Sequence, residues 1–444
     1  MYWLIITFLL SIYILYKPDR GILITTALIP LINYEYPLSF LRIPISIEKI
    51  IIPVIVLGFI EHSARQFFKK TPSPLFIIIF LLYAFIYLLS VIINNSNPNG
   101  YFYFIETLTY ILFFFAMLDF FQERNSTNIS ITFIRTFILA GFMVSIIGFL
   151  QYYLRTDFLY DSKTVNGYLV YGTFGKGRVS STIGHPNFLA AFLVAVIPIT
   201  FVEIFLVKQI SQRTFFIVAL LADIICLYLS FSKIALLVLF LIFVSFIFMS
   251  KTRRVIFVLI PLIILFIFGY VHTKDYDFYR SRLSMIKRIS LDYRLIIYKV
   301  ELKLMRGHLL FGRGGGSLEG LVRNYFRDNS DSFTKLDIEN LVKKMDVHSA
   351  HSSYMRILFE TGIIGLLTYL IAIGSCYWSA VGHASSKITY RKYALMLGIT
   401  AILLTSFTDE ILSFSKIQFI FWIFFAIAIV SPLPDDDIPI YSLT

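Results

Sequence analysis

Charged side chains are scarce in this chain. Only 15% of its 444 residues are Asp, Glu, Lys or Arg, whereas 58% are hydrophobic and 17% are aromatic. Soluble globular domains have roughly a quarter of charged residues, so this composition excludes an ordinary soluble enzyme. Apolar runs of about 20 residues, the length that crosses a bilayer as a helix, recur from end to end. The sequence therefore predicts an all-α polytopic membrane protein.

Cysteine and histidine are also rare, with two and seven residues. Cys226 and Cys376 both fall in apolar runs, so the sequence offers neither a disulfide framework nor the spacing of zinc ligands. We expect no metal and no cofactor. The net charge of +12 does not by itself indicate nucleic acid, because basic residues in membrane proteins set topology and bind anionic lipid heads. Membrane lipids, and no nucleic acid, are the partners that this charge predicts.

The apolar runs predict twelve or thirteen transmembrane helices. The candidate spans are 2–16, 21–34, 46–62, 73–94, 101–121, 129–152, 186–207, 214–231, 233–249, 255–271, 356–378, 392–408 and 413–431. The first span lacks a basic n-region and a small-residue cleavage site, so we interpret it as a retained segment rather than a signal peptide.

Lysine and arginine in short loops predict which ends of the helices face the cytoplasm. They occur in four such loops, as Arg65, Lys69 and Lys70, as Lys208 and Arg213, as Lys251, Arg253 and Arg254, and as Lys387, Arg391 and Lys392. We therefore predict ten helices over 1–271 with a smaller external loop at 153–185. A large extracytoplasmic loop follows over 272–355, and the last three helices with a short cytoplasmic tail occupy 356–444.

Three external segments carry residue types that are typical of functional sites. The first runs from Arg178 to the sequence Gly184-His185-Pro186-Asn187 at the start of a span. Pro186 suits the first turn of a helix, and a helix N-terminus beside an arginine favours an anion such as a phosphate. The alternative is an interfacial arginine next to an ordinary polar helix cap.

The second segment begins at Arg294, where apolar and charged residues alternate as in an amphipathic helix, and ends in a glycine-rich run over 312–316. We interpret that run as a flexible break, and without a Gly-Lys-Ser/Thr ending it does not predict nucleotide binding. The third segment has His348 and His351 at the mouth of a span and Glu360 deeper. Either histidine could be a structural hydrogen-bonding residue. Glu360 is costly in lipid, so we expect it to face protein and to pair with an arginine.

In their order and setting these segments resemble the O-antigen ligase and polymerase superfamily of bacterial membrane glycosyltransferases. The resemblance covers about residues 130–410. It rests on Arg178 with Gly184 to Asn187, on Arg294 with the turn Leu309-Leu310-Phe311-Gly312-Arg313-Gly314, and on His351 with Glu360, Gly362 and Gly365. Two residues depart from the family pattern, which often has a proline where His308 stands and an asparagine where Ser352 stands.

The resemblance implies transfer of a glycan from an undecaprenyl-diphosphate carrier to an acceptor hydroxyl, in surface polysaccharide biosynthesis at the extracytoplasmic face of the bacterial inner membrane. It implies a metal-independent, inverting reaction with His351 as general base, and with Arg178 and Arg294 stabilising the diphosphate. The acceptor could be a glycan, a lipid or a protein, because ligases, polymerases and protein O-glycosyltransferases share these features. The residues that we expect to bind substrate are His185, Asn187, Arg280, Arg313, His348 and Glu360.

Two other functions stay open from the sequence. A polysaccharide or lipid transporter or flippase would place ionisable residues near the middle of the membrane, and Asp223, Asp409 and Glu410 are the candidates. A non-catalytic scaffold for polysaccharide assembly would leave His351 and the arginines replaceable. The functional residue types cluster in external segments, which favours the enzyme.

Overall fold

The computed structural model describes residues 2–32, 35–38, 43–70, 74–94, 98–124, 127–154, 178–249, 294–329, 351–382, 389–430 and 433. The predicted span 255–271, together with Arg280 and His348, lies outside the described residues. Every other predicted span overlaps a helix.

The described part of the chain is built from helices and one short hairpin. The helices are α1 (Tyr2–Tyr16), α2 (Pro18–Leu28), α3 (Ile47–Lys70), α4 (Pro74–Ile93), α5 (Pro98–Arg124), α6 (Thr127–Leu154), α7 (Pro186–Leu206), α8 (Ile210–Leu229), α9 (Lys233–Met249), α10 (294–304), α11 (Leu318–Asp328), α12 (Ser353–Gly382), α13 (Tyr390–Thr405) and α14 (Ser415–Val430). Six of them, α4 to α8 and α12, are long and apolar enough to cross a membrane. The predicted class, an all-α polytopic membrane protein, is confirmed.

The helix observed in the predicted span 21–34 ends earlier than we expected. α2 ends at Leu28, because Pro30 has no N–H with which to continue the backbone ladder. Two four-residue strands follow. β1 (Glu35–Leu38) and β2 (Ile43–Ser46) pair antiparallel, with Glu35 opposite Ser46, and lead into α3.

Several basic residues that we predicted in loops are helical, in α3, in α13 and, for Arg213, in the first turn of α8. α3 continues to Lys70, beyond the predicted end of its span at 62, because hydropathy marks the edge of the membrane and lysine and arginine are good helix formers. Arg391 lies in the first turn of α13 and is buried. Its Nε donates to Glu203 on α7 at 2.6 Å, so a carboxylate partner makes the burial of this charge tolerable.

α7 forms the centre of the bundle. Almost its whole length is buried, and it packs against α6, α8, α9 and α13. Gly398 on α13 faces Ala195 on α7, where an added Cβ would lie 2.5 Å from the Ala195 carbonyl oxygen. A glycine at this crossing lets the two helix backbones approach closely, as is common between membrane helices.

A small second core lies beside the bundle. It contains apolar residues of α10, α11 and the first turns of α12: Ile297, Val300, Met305, Leu318, Val322, Phe326 and Phe359. This core holds α10, and with it Arg294, against the start of α12. The helix that we predicted at the start of the second segment is therefore confirmed.

Candidate active site

Arg178 lies at the beginning of a short loop that is fixed by α6. The side-chain oxygen of Gln151 accepts hydrogen bonds from the backbone N–H groups of Ser180 and Ser181, at 3.1 and 2.8 Å. The Ser181 hydroxyl donates to the Val144 carbonyl at 2.6 Å. Ser181 has a φ of 49°, which a non-glycine residue rarely adopts. These contacts stabilise the strained loop and set the direction in which the chain enters α7.

The guanidinium of Arg178 connects two further elements. Its Nε donates to the Ser230 carbonyl at the end of α8 at 2.8 Å, and its Nη2 donates to Asn187 Oδ1 at 2.7 Å. Asn187 Nδ2 donates in turn to Asp409 Oδ2 at 2.6 Å. Asn187 is in the first turn of α7, so the arginine stands at a helix N-terminus, where partial positive charge accumulates. This arrangement favours an anionic ligand.

His185 caps α7, and its Nδ1 accepts from the Asn187 N–H at 3.3 Å. Burial lowers the pKa of His185. The nearby Asp409 carboxylate raises this pKa, and the Arg178 and Arg294 guanidiniums lower it. The cap requires an unprotonated Nδ1, so the lowered pKa and the hydrogen bond agree on a neutral ring. Hydrogen bonds place α10 at this end of the bundle. The Tyr298 hydroxyl of α10 donates to the His351 carbonyl at 3.1 Å, and Ser353 N at the start of α12 donates to the Asp409 carbonyl at 3.2 Å.

α10 positions His351 as well as Arg294. The Tyr298 hydroxyl, one turn after Arg294, donates to the His351 carbonyl at 3.1 Å. His351 has a φ of 50° and stands two residues before Ser353, where α12 begins. A left-handed conformation at a non-glycine residue is strained, and such strain is concentrated at functional sites. The general-base candidate is thus held by its backbone, at the mouth of a membrane helix.

A buried ion cluster lies one turn further along α12. Arg356 donates from Nε to Glu360 Oε1 at 3.1 Å and from Nη1 to Glu410 Oε2 at 2.9 Å. Its guanidinium also lies 4.9 Å from the ring centroid of Tyr103. Tyr87 donates its hydroxyl to Glu360 Oε2 at 2.8 Å. The expectation that Glu360 faces protein and pairs with an arginine is therefore confirmed, and the partner is Arg356.

The glycine-rich run is a docked turn, and our interpretation of it as a flexible break was wrong. α12 is interrupted at Gly362, whose φ of 71° breaks the helix. The turn inserts there, so that Arg313 N donates to the Phe359 carbonyl at 2.8 Å and Gly314 N to the Glu360 carbonyl at 3.0 Å. A Cβ on Gly312 would lie 2.6 Å from the Glu360 backbone. The glycines therefore serve close backbone approach rather than mobility.

Glu301 on α10 is a further buried carboxyl near this cluster. Glu301 is fully buried, and neither of its carboxyl oxygens has a hydrogen-bond partner among the described residues. Burial, with a smaller effect of nearby Glu410, raises its pKa to about 9. The Glu301 side chain is therefore a neutral acid at pH 7.

A family model described as O-antigen ligase matches residues 216–370. The matched segment includes Arg294, the docked turn and His351 at the start of α12. This segment belongs to the O-antigen ligase and polymerase superfamily. The predicted resemblance is confirmed, and it supports an O-antigen ligase-like function in surface polysaccharide biosynthesis. No curated protein matches the chain.

The ligase segment does not contain every residue of the site. Arg178 and Asn187 precede the matched residues, and Asp409 and Glu410 follow them. The hydrogen bond from Asn187 to Asp409 and the ion pair from Arg356 to Glu410 connect these residues to the start of α12. The candidate site is thus assembled from four separate parts of the chain.

The structure places the predicted substrate-binding residues in different settings. His185 and Asn187 lie beside Arg178 at the start of α7. Arg313 is half-buried and donates from Nε to the Leu304 carbonyl at the end of α10. Glu360 is enclosed by its protein partners. Their roles in binding substrate, like those of Arg280 and His348, stay predictions.

Sequence reasoning missed two acidic residues of the site and assigned them to a different function. Asp409 and Glu410 do not lie within a helix, whereas a transporter would need ionisable residues along a path through the helices. They lie in the connection between α13 and α14, at the same end of the bundle as Arg178. Their flanking apolar runs made them look membrane-embedded. The sequence signal that could have located them is the gap at 409–412 between the predicted spans 392–408 and 413–431.

Within the residues that the structure describes, no group of three His, Cys, Asp or Glu side chains is arranged to hold a metal. The charged groups of the site are instead arginines and carboxylates in contact with one another. The chemistry that this arrangement can perform is anion binding by Arg178 and Arg294 next to a histidine.

Proposed function

We propose that this chain transfers a glycan from an undecaprenyl-diphosphate carrier to an acceptor hydroxyl, on the extracytoplasmic face of the bacterial inner membrane. The observation that carries the proposal is the assembly of Arg178, Arg294 and His351 at one end of the bundle, although they come from separate segments. Two arginines and a helix N-terminus favour a diphosphate. A histidine beside them supplies a proton acceptor.

The distribution of basic residues supports the extracytoplasmic face. Lys208 lies in the turn between α7 and α8 and Arg213 in the first turn of α8, at the end of α7 that is opposite Asn187. Arg391 and Lys392 lie at the start of α13, also far from the site. Because basic residues close to membrane helices are retained in the cytoplasm, the site lies on the other side.

The reaction that we propose is a single displacement. The acceptor oxygen forms a bond to the anomeric carbon of the sugar while the bond from that carbon to the diphosphate oxygen breaks. The acceptor proton passes to His351, and the electron pair leaves with the diphosphate, whose charge Arg178 and Arg294 stabilise. Attack opposite the leaving group inverts the anomeric configuration. In this scheme the arginines neutralise the leaving group, so the transfer is metal-independent.

The test is transfer by the full chain in proteoliposomes that contain an undecaprenyl-diphosphate oligosaccharide. We expect His351→Ala and Arg294→Ala to lower transfer by about 100- to 10,000-fold, the range of a lost general base or a lost charge stabiliser. The matched controls are His308→Ala, in the turn after α10, and Arg306→Ala, which is exposed. Both controls should keep near-normal transfer. Near-normal transfer by both site variants, with intact protein in the membrane, would overturn the assignment.

Two further arms of that experiment separate the alternatives. Offering a glycolipid, a free glycan chain and a peptide in parallel identifies the acceptor class. The transporter hypothesis depends now on Asp223, a buried residue within α8 that accepts a hydrogen bond from Ser145 at 2.7 Å. We expect Asp223→Asn to keep glycan transfer, whereas a transporter would lose movement of its substrate across the bilayer.

A further inference from the structure

A cavity of about 270 Å³ opens into the bundle next to the site. It lies between α3, α4, α5, α12 and α14, at the ends of these helices that are near Arg356. Lys49 is in the first turn of α3 and Glu106 in the third turn of α5, while Phe80 and Trp422 lie in the second and third turns of α4 and α14. The cavity is separate from the arginines and the histidine that we assign to transfer.

The described residues that line the cavity are largely polar, and their charges are balanced. Lys49 pairs with Glu106 at 3.3 Å, and Arg356 pairs with Glu360 at 3.1 Å. Each cation therefore has a carboxylate beside it within the lining. A cavity with paired charges offers no net attraction to an anion or a cation. Its ligand is expected to be neutral.

Tyrosine is the commonest residue type in the described lining. Five of them line the cavity: Tyr83, Tyr87, Tyr103, Tyr110 and Tyr369. A tyrosine combines an apolar ring with a hydroxyl that donates and accepts hydrogen bonds. A sugar ring has the matching surface, with apolar C–H faces and hydroxyls around its edge. The Tyr87 hydroxyl already donates to Glu360. A lipid chain would offer no partner to the other hydroxyls that face the cavity, at a cost for each.

One donor in the cavity wall has no acceptor. Trp422 is buried, and its Nε1 makes no hydrogen bond to any residue that the structure describes. A buried N–H without a partner is costly, and in a polar cavity it indicates an absent acceptor. A ligand hydroxyl would supply one when the indole turns its N–H toward the cavity. The orphaned donor is an observation independent of the charges and of the tyrosines.

The volume of the cavity is of the order of one sugar ring. A volume of 270 Å³ corresponds to roughly nine water molecules at about 30 Å³ each. This is close to the number of heavy atoms in a single monosaccharide and too small for an oligosaccharide.

The cavity is adjacent to the reacting groups. Arg356 lines it and also binds Glu410, which directly follows the Asp409 that holds Asn187. Ser353, another lining residue, stands two positions after His351. We propose that this cavity binds one neutral sugar ring of a glycan substrate. The assignment of that ring to a substrate rests on the proposed function, and either the lipid-linked donor or the acceptor can be its source.

The first test is binding of free sugars to the full chain in nanodiscs, measured by saturation-transfer NMR. The probes are glucose, galactose and N-acetylglucosamine. Trp422→Phe keeps the aromatic ring and removes only the N–H, and we expect it to weaken binding by about two- to tenfold, the value of one neutral hydrogen bond. The matched control is Trp378→Phe, since Trp378 is 80% exposed on α12 and outside the cavity. If Trp422→Phe does not fold, Thr107→Val removes a lining hydroxyl at constant shape.

The outcome of the binding test does not depend on catalysis. We expect His351→Ala to bind the sugar like the wild-type chain even if it transfers nothing. Failure of the proposed function would appear as absent transfer with sugar binding preserved. Failure of the cavity proposal would appear as no binding of any probe, or as equal affinities of the Trp422 variant and its control.

The second test identifies the source of the sugar. In the transfer assay, Trp422→Phe should raise the KM of one substrate by a similar two- to tenfold factor. A rise for the lipid-linked donor assigns the cavity to the donor glycan, and a rise for the acceptor assigns it to the acceptor. Unchanged KM values for both substrates would overturn the proposal.

Discussion

Replacing Arg356 with methionine should strongly destabilise the protein. Arg356 is the cation that Glu360 and Glu410 share, at 3.1 and 2.9 Å. Its side chain is 19% exposed, and those of the two carboxylates are 8% and 9% exposed. Methionine keeps much of the volume and removes the charge. Two carboxylates would then remain side by side, away from water, without their cation.

The expected cost follows from that burial. Removing one partner of a buried ion pair costs about 3–5 kcal/mol, because the remaining charge is desolvated and uncompensated. This loss corresponds to a factor of roughly 10² to nearly 10⁴ in the unfolding equilibrium. The hydrogen bonds that Tyr87 and Gly316 donate to Glu360 persist and limit the loss. Protonation of one carboxylate would limit it further.

The measurement is unfolding in mixed micelles with increasing denaturing detergent. The matched control is Arg327→Met on α11, where the arginine pairs with Asp328 at 3.3 Å but the two side chains are 74% and 63% exposed. Such a pair contributes roughly 0–1 kcal/mol. A second comparison is the triple variant Arg356→Met, Glu360→Gln, Glu410→Gln. The two glutamines remove the carboxylate charges that Arg356→Met leaves without a cation, so much of the stability should be recovered. Equal losses in Arg356→Met and Arg327→Met would refute the reasoning.

Two further changes test the docked turn and the neutral acid. Gly362→Ala should destabilise by at least about 1–2 kcal/mol, the cost of a left-handed conformation, because its Cβ also meets the Leu310 backbone. The control Gly374→Ala, in open space on the same helix, should stabilise by about 0.5–1 kcal/mol; equal effects of the two changes in the same unfolding assay would contradict the docking. The second of these changes is Glu301→Gln. The carboxyl has a pKa of about 9 when folded and ionises near 4.5 when unfolded, so wild-type stability falls as pH rises between these values. The advantage of the glutamine variant should therefore grow from pH 5 to pH 9, and a difference that is constant with pH would rule out this account.

The helices of this protein could be predicted from composition and apolar runs. A segment of some 20 apolar residues has few stable conformations in lipid other than a helix, so α4 to α8 follow from the sequence alone. The ends of helices were less predictable. α3 continues past the apolar run through Arg65 to Lys70, because the same residues that leave the membrane also form good helices.

The site could be predicted only where its residues are near one another in sequence. Arg178, His185 and Asn187 fall within ten positions, and the pattern of arginine, proline and helix start indicated an anion site. Asp409 was not linked to them, since it is 222 positions from Asn187. Without a second sequence for comparison, no periodicity or spacing relates such positions. A carboxylate between two apolar runs therefore indicated only a membrane-embedded charge.

The residues that were missed are those that fix the site in place. Arg356 joins the first turns of α12 to Glu410 in the connection between α13 and α14. Asp409, the preceding residue, holds Asn187 at the start of α7. His351 precedes α12 and Arg178 precedes α7, so this one short connection sets the distance between the proposed proton acceptor and the proposed anion site. The sequence motifs supply the candidate reacting groups, whereas the geometry between these groups depends on contacts between distant positions.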